Sequence, residues 1–218
     1  MSAEELVAAV KAGEPCTDLD LREVELREVN LAGAQLRDCR FDDADLGGVR
    51  LDGARITGGS LARADLREAD LTDAVVSGVD LSGARFAGAM LGDARFEGCR
   101  MIGTSMRGLR GLAASFRLVG CNLQVADLQE LSLKGMHVEE CDLSEADLRG
   151  ADLREVVFDR CRLRGTVLKH ARMGAADLRS CDLGEITPDT PRELAGAIVS
   201  PAQASAVCEA LGLIVLDQ

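Results

Sequence analysis

The chain has 218 residues, of which 47% are hydrophobic and only 2% aromatic, and its formal net charge is −12. That length suits one elongated domain or two small ones, with a core of aliphatic side chains, Met and Cys. The negative charge disfavours a direct nucleic-acid-binding surface and favours basic partners, and no apolar run approaches the roughly 18–20 residues of a membrane span.

The N-terminus, Met1-Ser2-Ala3-Glu4-Glu5, is acidic and lacks a signal-peptide core, so a cytoplasmic protein is expected. Ser2-x-x-Glu5 is a capping-box signature and Gly13 a helix stop, which predicts a helix over 3–12. Leu6, Val7 and Val10 give this helix an apolar stripe. Residues 1–18 are therefore expected to cap the open end of the segment that starts at Leu19, where an exposed sheet edge would otherwise template aggregation.

From Leu19 the chain reads in blocks of five: LDLRE, VELRE, VNLAG, AQLRD, CRFDD, ADLGG. The third residue of each block is large and apolar, the first small or medium. The central column runs from Leu21, Leu26 and Leu31 to Met106, and a second run spans Leu123 to Leu183; Phe41, Phe86, Phe96, Phe116 and Phe158 all fall on central positions of this numbering. A step of five rotates about 140° on an α-helix and spreads such a column around the cylinder. On a straight strand five is odd, so successive central residues would face opposite sides. Both conflicts disappear if the chain bends by about 90° at every block, because the central residue and the one two before it then both point inward. The three outward positions are rich in Asp, Arg, Glu, Gly and Ser, as solvent and turn positions require. The predicted fold is an all-β solenoid over 19–186, a right-handed quadrilateral β-helix of about eight coils and roughly 40 Å.

The cysteines give an independent register. Cys121, Cys141, Cys161 and Cys181 recur every 20 residues, and Cys39 and Cys99 lie 60 apart, so one coil is 20 residues. The step from Cys99 to Cys121 is 22, which implies a two-residue insertion, placed at Val119-Gly120. The block Leu109-Arg110-Gly111-Leu112-Ala113 has Gly at its centre, so residues 107–120 are expected to form a bulge or loop. No CxxC spacing exists, and the cysteine column reads as small inward hydrophobes, not as metal ligands or disulfides. Cys16 and Cys208 fall in the end regions as free thiols.

Pro188 and Pro191 end the repeats, and residues 187–218 differ in composition. Ser200-Pro201 predicts an N-cap and first helical residue, with a helix over 201–211 and Gly212 as its stop. Leu213-Ile214-Val215-Leu216 reads as a short apolar strand. Leu211, Leu213, Ile214, Val215 and Leu216 are expected to cap the last coil or to form a two-fold dimer interface.

Charge is uneven along the rod. Residues 19–118 carry 16 acids against 14 bases, and residues 119–186 carry 13 against 9. The densest acidic stretch is 127–147, with Asp127, Glu130, Glu139, Glu140, Asp142, Glu145 and Asp147 against Lys134 alone. It is the candidate partner-binding patch, suited to a basic groove. His137 and His170 occupy outward positions, and no nucleophile–base pair or phosphate loop can be drawn, so no enzyme, cofactor or metal is expected.

The AlaAspLeuXaaXaa blocks at 44–48, 64–68, 69–73, 126–130, 146–150, 151–155 and 176–180 resemble the signature of the pentapeptide-repeat family. The order of repeats, a Ser200-Pro201-Ala202-Gln203-Ala204 helix start and an apolar end is similar to that of its MfpA- and Qnr-like members. That resemblance implies a C-terminal homodimer that mimics duplex DNA and binds DNA gyrase or topoisomerase IV, in fluoroquinolone resistance or in self-immunity to gyrase poisons. Two such rods with their caps would approach 100 Å, on the order of 30 base pairs at 3.4 Å each. The other expectation is a protein-interaction scaffold with an unrelated partner. The N-terminal helix and the lack of a long projecting loop depart from those members.

Overall fold

A computed structural model describes residues 3–110 and 115–216. Helix α1 (Ala3–Lys11) is followed by eight short strands: β1 (Cys16–Thr17), β2 (Gln35–Arg37), β3 (Arg55–Thr57), β4 (Val75–Ser77), β5 (Arg95–Glu97), β6 (Arg117–Val119), β7 (His137–Glu139) and β8 (Val157–Asp159). They pair in sequence order as one parallel sheet. Single bridges continue the ladder through Val157↔Asp177 and Asp177↔Ile198. Helices α2 (Thr190–Glu193) and α3 (Pro201–Ala210) complete the chain.

The sheet is one of four faces of the predicted β-solenoid. Leu36, Ile56, Val76, Phe96, Leu118, Val138 and Phe158 point inward from the sheet face, face one. Leu21, Phe41, Leu61 and Leu81 begin the inward column of face two, Leu26, Leu46, Leu66 and Phe86 that of face three, and Leu31, Leu51, Leu71 and Leu91 that of face four; all are buried. Phe86 and Phe96 meet edge to face with ring centroids 6.2 Å apart. Backbone amides donate from one coil to the next, as in Leu21 N to Arg40 O (2.8 Å) and Arg40 N to Leu19 O (2.8 Å).

From Cys16 to Met173, bend after bend puts the second residue after the central one in the left-handed region. Gly fills many of these corners, but Asp, Glu and Arg also stand there, and Val125 does so at φ 51°. A β-branched residue in that region is a true outlier. At Gly59 (φ +74°) the demand is steric as well: a Cβ would stand 2.1 Å from the Cys39 carbonyl oxygen, so this member of the cysteine column is Gly.

Faces two to four close their bends with a backbone turn bond, as in Ala34 N to Leu31 O (3.0 Å) and Ala44 N to Phe41 O (3.1 Å). At the corner leaving face one the cysteines take up central carbonyls from the coil before. Cys99 Sγ donates to Val76 O (3.3 Å), Cys121 Sγ to Phe96 O (3.3 Å) and Cys161 Sγ to Val138 O (3.3 Å). Thr104 Oγ1 does the same to Leu81 O (2.9 Å) and Thr166 Oγ1 to Leu143 O (2.8 Å). The column is therefore packing plus a run of weak S–H donors.

All eight cysteines are free. The contact with Cys141 pushes Cys121 up to about 12, and burial pushes Cys161 to about 12 and Cys181 to about 11. Thiolates are the reactive species, so these thiols are inert in the folded rod. With Ellman's reagent near pH 8, half-buried Cys208 is expected to react first and Cys181 slowly, and the rest only after guanidinium unfolding. Rapid reaction of more than two thiols in the native protein would contradict the burial of the column.

Three local expectations are corrected. The insertion lies upstream of Val119-Gly120: Met90 pairs with Arg110, a step of 20, but Arg95 pairs with Arg117, a step of 22. The two extra residues therefore fall between Arg110 and Arg117, and Gly111, the expected irregular centre, lies outside the described residues. Leu118 becomes the central residue and Phe116 moves to the column of Ala94 and Met136, still buried. The rod also begins one block before Leu19, because Cys16 pairs with Leu36 and is buried as a central residue. Finally, 213–216 form no strand: the segment is irregular, with Ile214 88% and Leu216 81% exposed. Among the described residues it pairs with no strand edge.

At the N-terminal end, Leu6 is fully buried in the core and Val7 and Val10 pack against it. Gly13 (φ 73°) ends α1, with Gly13 N on Val10 O (2.9 Å) and Glu14 N on Ala9 O (3.0 Å), the paired bonds of a Schellman stop. Ser2 of the expected capping box lies outside the described residues. At the other end Ser200 and Gln203 form a full capping box. Gln203 Nε2 also donates to Leu178 O and Cys181 O, both at 2.9 Å, tying α3 to the last coil.

Candidate partner-binding surfaces

The repeat places Asp immediately before the central residue for a backbone reason. The carboxylate there accepts from the amide two residues on, as in Gly47 N to Asp45 (3.0 Å), Thr72 N to Asp70 (3.0 Å) and Ser82 N to Asp80 (2.9 Å). An Asx turn of this kind satisfies an outward amide that the ladder leaves free. Much of the rod's acidity thus serves the bend.

This divides the seven acidic candidates. Asp127, Asp142 and Asp147 are such turn acceptors, at 3.3, 3.0 and 3.1 Å from Gln129 N, Ser144 N and Arg149 N. Glu130, Glu139, Glu140 and Glu145 project from the outward positions after their central residues. The coil geometry spreads the set over three faces: Glu139 and Glu140 at face one, Asp142 and Glu145 at face two, Asp127, Glu130 and Asp147 at face three. Only Asp127 and Asp147 stand in register on adjacent coils.

Lys134 is not their only opponent. Arg107 pairs with Glu130 (3.0 Å), Arg149 with Asp147 (2.5 Å), Arg160 with Glu140 (2.8 Å) and Arg162 with Asp142 (3.6 Å). Three of these bases come from neighbouring coils, 20 to 23 residues away, where a window of sequence does not find them. The Arg149 fork holds the Asp147 carboxyl below its ordinary value. At Asp142, burial acts against ionisation, but bonds from Ser144 and Gln124 and the Arg162 charge outweigh it and lower the pKa.

Two carboxylates are clamped more tightly. Asp65, 6% exposed, accepts from Arg67 (2.5 Å) and Arg85 (3.0 Å); Asp152, also 6% exposed, accepts from Arg154 (2.6 Å) and forms an ion pair with Arg172 (3.0 Å). The Arg154 fork is the main reason the Asp152 pKa falls to about 2. A depressed carboxylate stabilises the fold fully above its unfolded value, about 3.9, and that contribution is lost as pH falls through the folded value. The melting temperature is therefore expected to be flat from pH 7 to 5 and to drop between pH 4 and 2. Asp152→Asn is expected to cost about 1–2 kcal/mol at pH 7, with a shallower acid limb. A mutant curve parallel to wild type down to pH 2, by circular dichroism, would remove Asp152 from the acid response.

The C-terminal candidates are exposed: Leu211 54%, Leu213 58%, Ile214 88%, Val215 39% and Leu216 81%. Among the described residues no group of His, Cys, Asp and Glu is arranged to hold a metal ion, and no helix is long and apolar enough to cross a membrane. Also among the described residues, Arg37, Arg55, Arg95, Arg100, Arg110 and Arg117 are the arginines without an ion pair. The linear sequence does not mark them out; only the coil register brings Arg37, Arg55, Arg95 and Arg117 onto one face.

The pentapeptide-repeat family model matches residues 20–58, 50–88, 80–110 and 146–184. The fold resembles a trypsin-treated variant of QnrB1, a plasmid-mediated fluoroquinolone resistance protein, with a TM-score of 0.71 at 24% identity over 93% of this chain and 100% of that one. Full-length QnrB1 gives 0.68 at 22% identity, over 90% and 99%. At these identities the likeness is one of fold. No curated protein matches significantly in sequence. With four stacked inward columns, a 20-residue coil and this match over more than half its length, the chain belongs to the pentapeptide-repeat family.

Proposed function

We propose that the protein is a non-catalytic rod that binds DNA gyrase or topoisomerase IV, and so modulates supercoiling or the action of topoisomerase poisons such as fluoroquinolones. The observation that carries this reading is the end-to-end fold likeness to QnrB1, which covers all of that chain. The net charge of −12 agrees with a basic partner surface. In this reading Glu130, Glu139, Glu140 and Glu145 form an acidic band around the rod, with Asp127, Asp142 and Asp147 beneath it, and take the place of DNA phosphates. A homodimer joined through Leu211, Leu213, Ile214, Val215 and Leu216 supplies the length, and the work is done in the cytoplasm.

The test is gyrase supercoiling, and drug-stabilised DNA cleavage, with purified protein. Inhibition of supercoiling or relief of cleavage is expected at micromolar protein. Charge reversal at Glu130, Glu139, Glu140 and Glu145 is expected to raise the effective concentration at least about tenfold, because like charges then face the basic groove. No effect on either enzyme would overturn the topoisomerase reading. The second reading, a scaffold for an unrelated protein, draws on the charge pairing: residues 19–118 carry nearly balanced charge, and four of the seven acidic candidates are paired with Arg.

A further inference from the structure

On faces two to four, the outward column just before the central residues mixes acids with bases, and acid–base neighbours pair between coils: Asp65 takes Arg85, Asp142 takes Arg162 and Asp152 takes Arg172. The same column on face one reads Arg55, Val75, Arg95, Arg117, His137, with no acid before Asp177. Arg95 and Arg117 are direct register partners, like charges side by side. Arg37 stands across the same face on β2. All four arginines are exposed and none has an ion-pair partner among the described residues.

At the lower end of the stripe the sheet face opens into a groove of about 300 Å³, lined by Phe116, Arg117, Val119, Met136, His137 and Glu139. From Arg55 to His137 is four coil steps, about 19 Å, the length of roughly six extended residues.

We propose that this stripe of face one, from Arg55 to the groove at His137, is a docking surface for a short acidic segment of a protein partner. Its carboxylates would pair with Arg55, Arg95 and Arg117, and one apolar side chain would enter the groove. The proposal is independent of the topoisomerase reading. A protein segment suits the surface better than nucleic acid does. Acids that share the face, Asp38, Glu97, Glu139, Glu140 and Asp159, flank the stripe, so a long polyanion with a charge every few ångströms runs onto them. The net charge of −12 repels such a polymer further. A short segment can set its acidic residues against Arg55, Arg95 and Arg117 and end with an apolar side chain at the groove, where Glu139 already faces His137 at 3.5 Å.

The experiment is fluorescence anisotropy at low salt with a labelled peptide of alternating Glu and Leu, its Gln counterpart, and an oligothymidylate of equal length. The Glu peptide is expected to bind saturably and the Gln peptide not. The triple variant Arg55→Gln, Arg95→Gln, Arg117→Gln is expected to weaken binding at least about tenfold, and the corresponding Lys triple to retain it. A control triple, Arg22→Gln, Arg63→Gln, Arg164→Gln, removes equal charge from face two and leaves the affinity within about twofold. Melting curves verify that each variant is folded. Absence of saturable binding, equal loss in both Gln triples, or oligothymidylate binding as tightly as the Glu peptide through these arginines would each overturn the proposal.

Discussion

Phe86→Asp is expected to abolish the cooperatively folded rod at 25 °C. Phe86 is fully buried on face three, between Leu66 and Met106 in the coil register, with its ring against Phe96. Removing the ring alone costs about 3–5 kcal/mol. The introduced carboxylate would be surrounded by Leu, Met and Phe side chains, and burying an unpaired ionisable group costs several kcal/mol more or forces it neutral. Together these match the whole stability of a typical domain, about 5–15 kcal/mol. Phe86→Leu keeps the volume class and is expected to cost less than about 1.5 kcal/mol. The pair is read by far-UV circular dichroism melts. Phe86→Asp melting within a few degrees of wild type would show that Phe86 does not point inward. Leu148→Asp probes the same column in the second run, where Leu148 is also fully buried. Because each coil of a solenoid touches only its neighbours, limited proteolysis of this variant is expected to spare the N-terminal coils.

The fold is legible in the sequence because the inward positions repeat: one large apolar residue every five, and Cys every 20, admit few other chain paths. What escapes is whatever depends on a contact between coils or on a phase the pattern does not carry. A step of 22 between Cys99 and Cys121 reports that two residues are added and not where, so a linear reading puts Phe116 and Leu118 in the wrong phase. Cys16 reads as an end residue because its block, Glu14-Pro15-Cys16-Thr17-Asp18, carries Pro where the repeat has Asp or Arg. Among the acidic candidates, Asp127, Asp142 and Asp147 look like free charge in the sequence, yet their carboxylates are engaged by the amides of their own bends. The arginines that neutralise Glu130 and Glu140 lie 23 and 20 residues away. The same register that hides those pairs from a linear reading also exposes the unpaired Arg55, Arg95 and Arg117. Surface charge on a solenoid is thus read by column, one coil apart, and not by window.

Ile214→Asp with Leu216→Asp is expected to convert the proposed dimer to a monomer without loss of fold. Both side chains are more than four-fifths exposed, at 88% and 81%, so a carboxylate at either site keeps its water in the single chain and the melting temperature of the rod is untouched. In a two-fold interface each substitution acts twice, since the same patch meets itself, and four carboxylates would be desolvated against apolar partners at several kcal/mol in total. Light scattering coupled to size exclusion is expected to give twice the 23.1 kDa of one chain for the wild type and a single 23.1 kDa for the variant at micromolar concentration. The placement of α3 favours this surface over the rest of the rod: Gln203 already satisfies the Leu178 and Cys181 carbonyls, so the last coil has its cover and the tail beyond Gly212 is not needed there. A wild type that runs as a monomer would remove the dimer from the proposal, and a variant that stays dimeric would move the interface elsewhere. Either result bears on the topoisomerase reading through length, because a single rod offers only half the span that a DNA-like dimer presents. If the monomeric variant still inhibited gyrase at the wild-type concentration, one rod with its acidic band would suffice for binding, and the apolar tail would serve assembly alone.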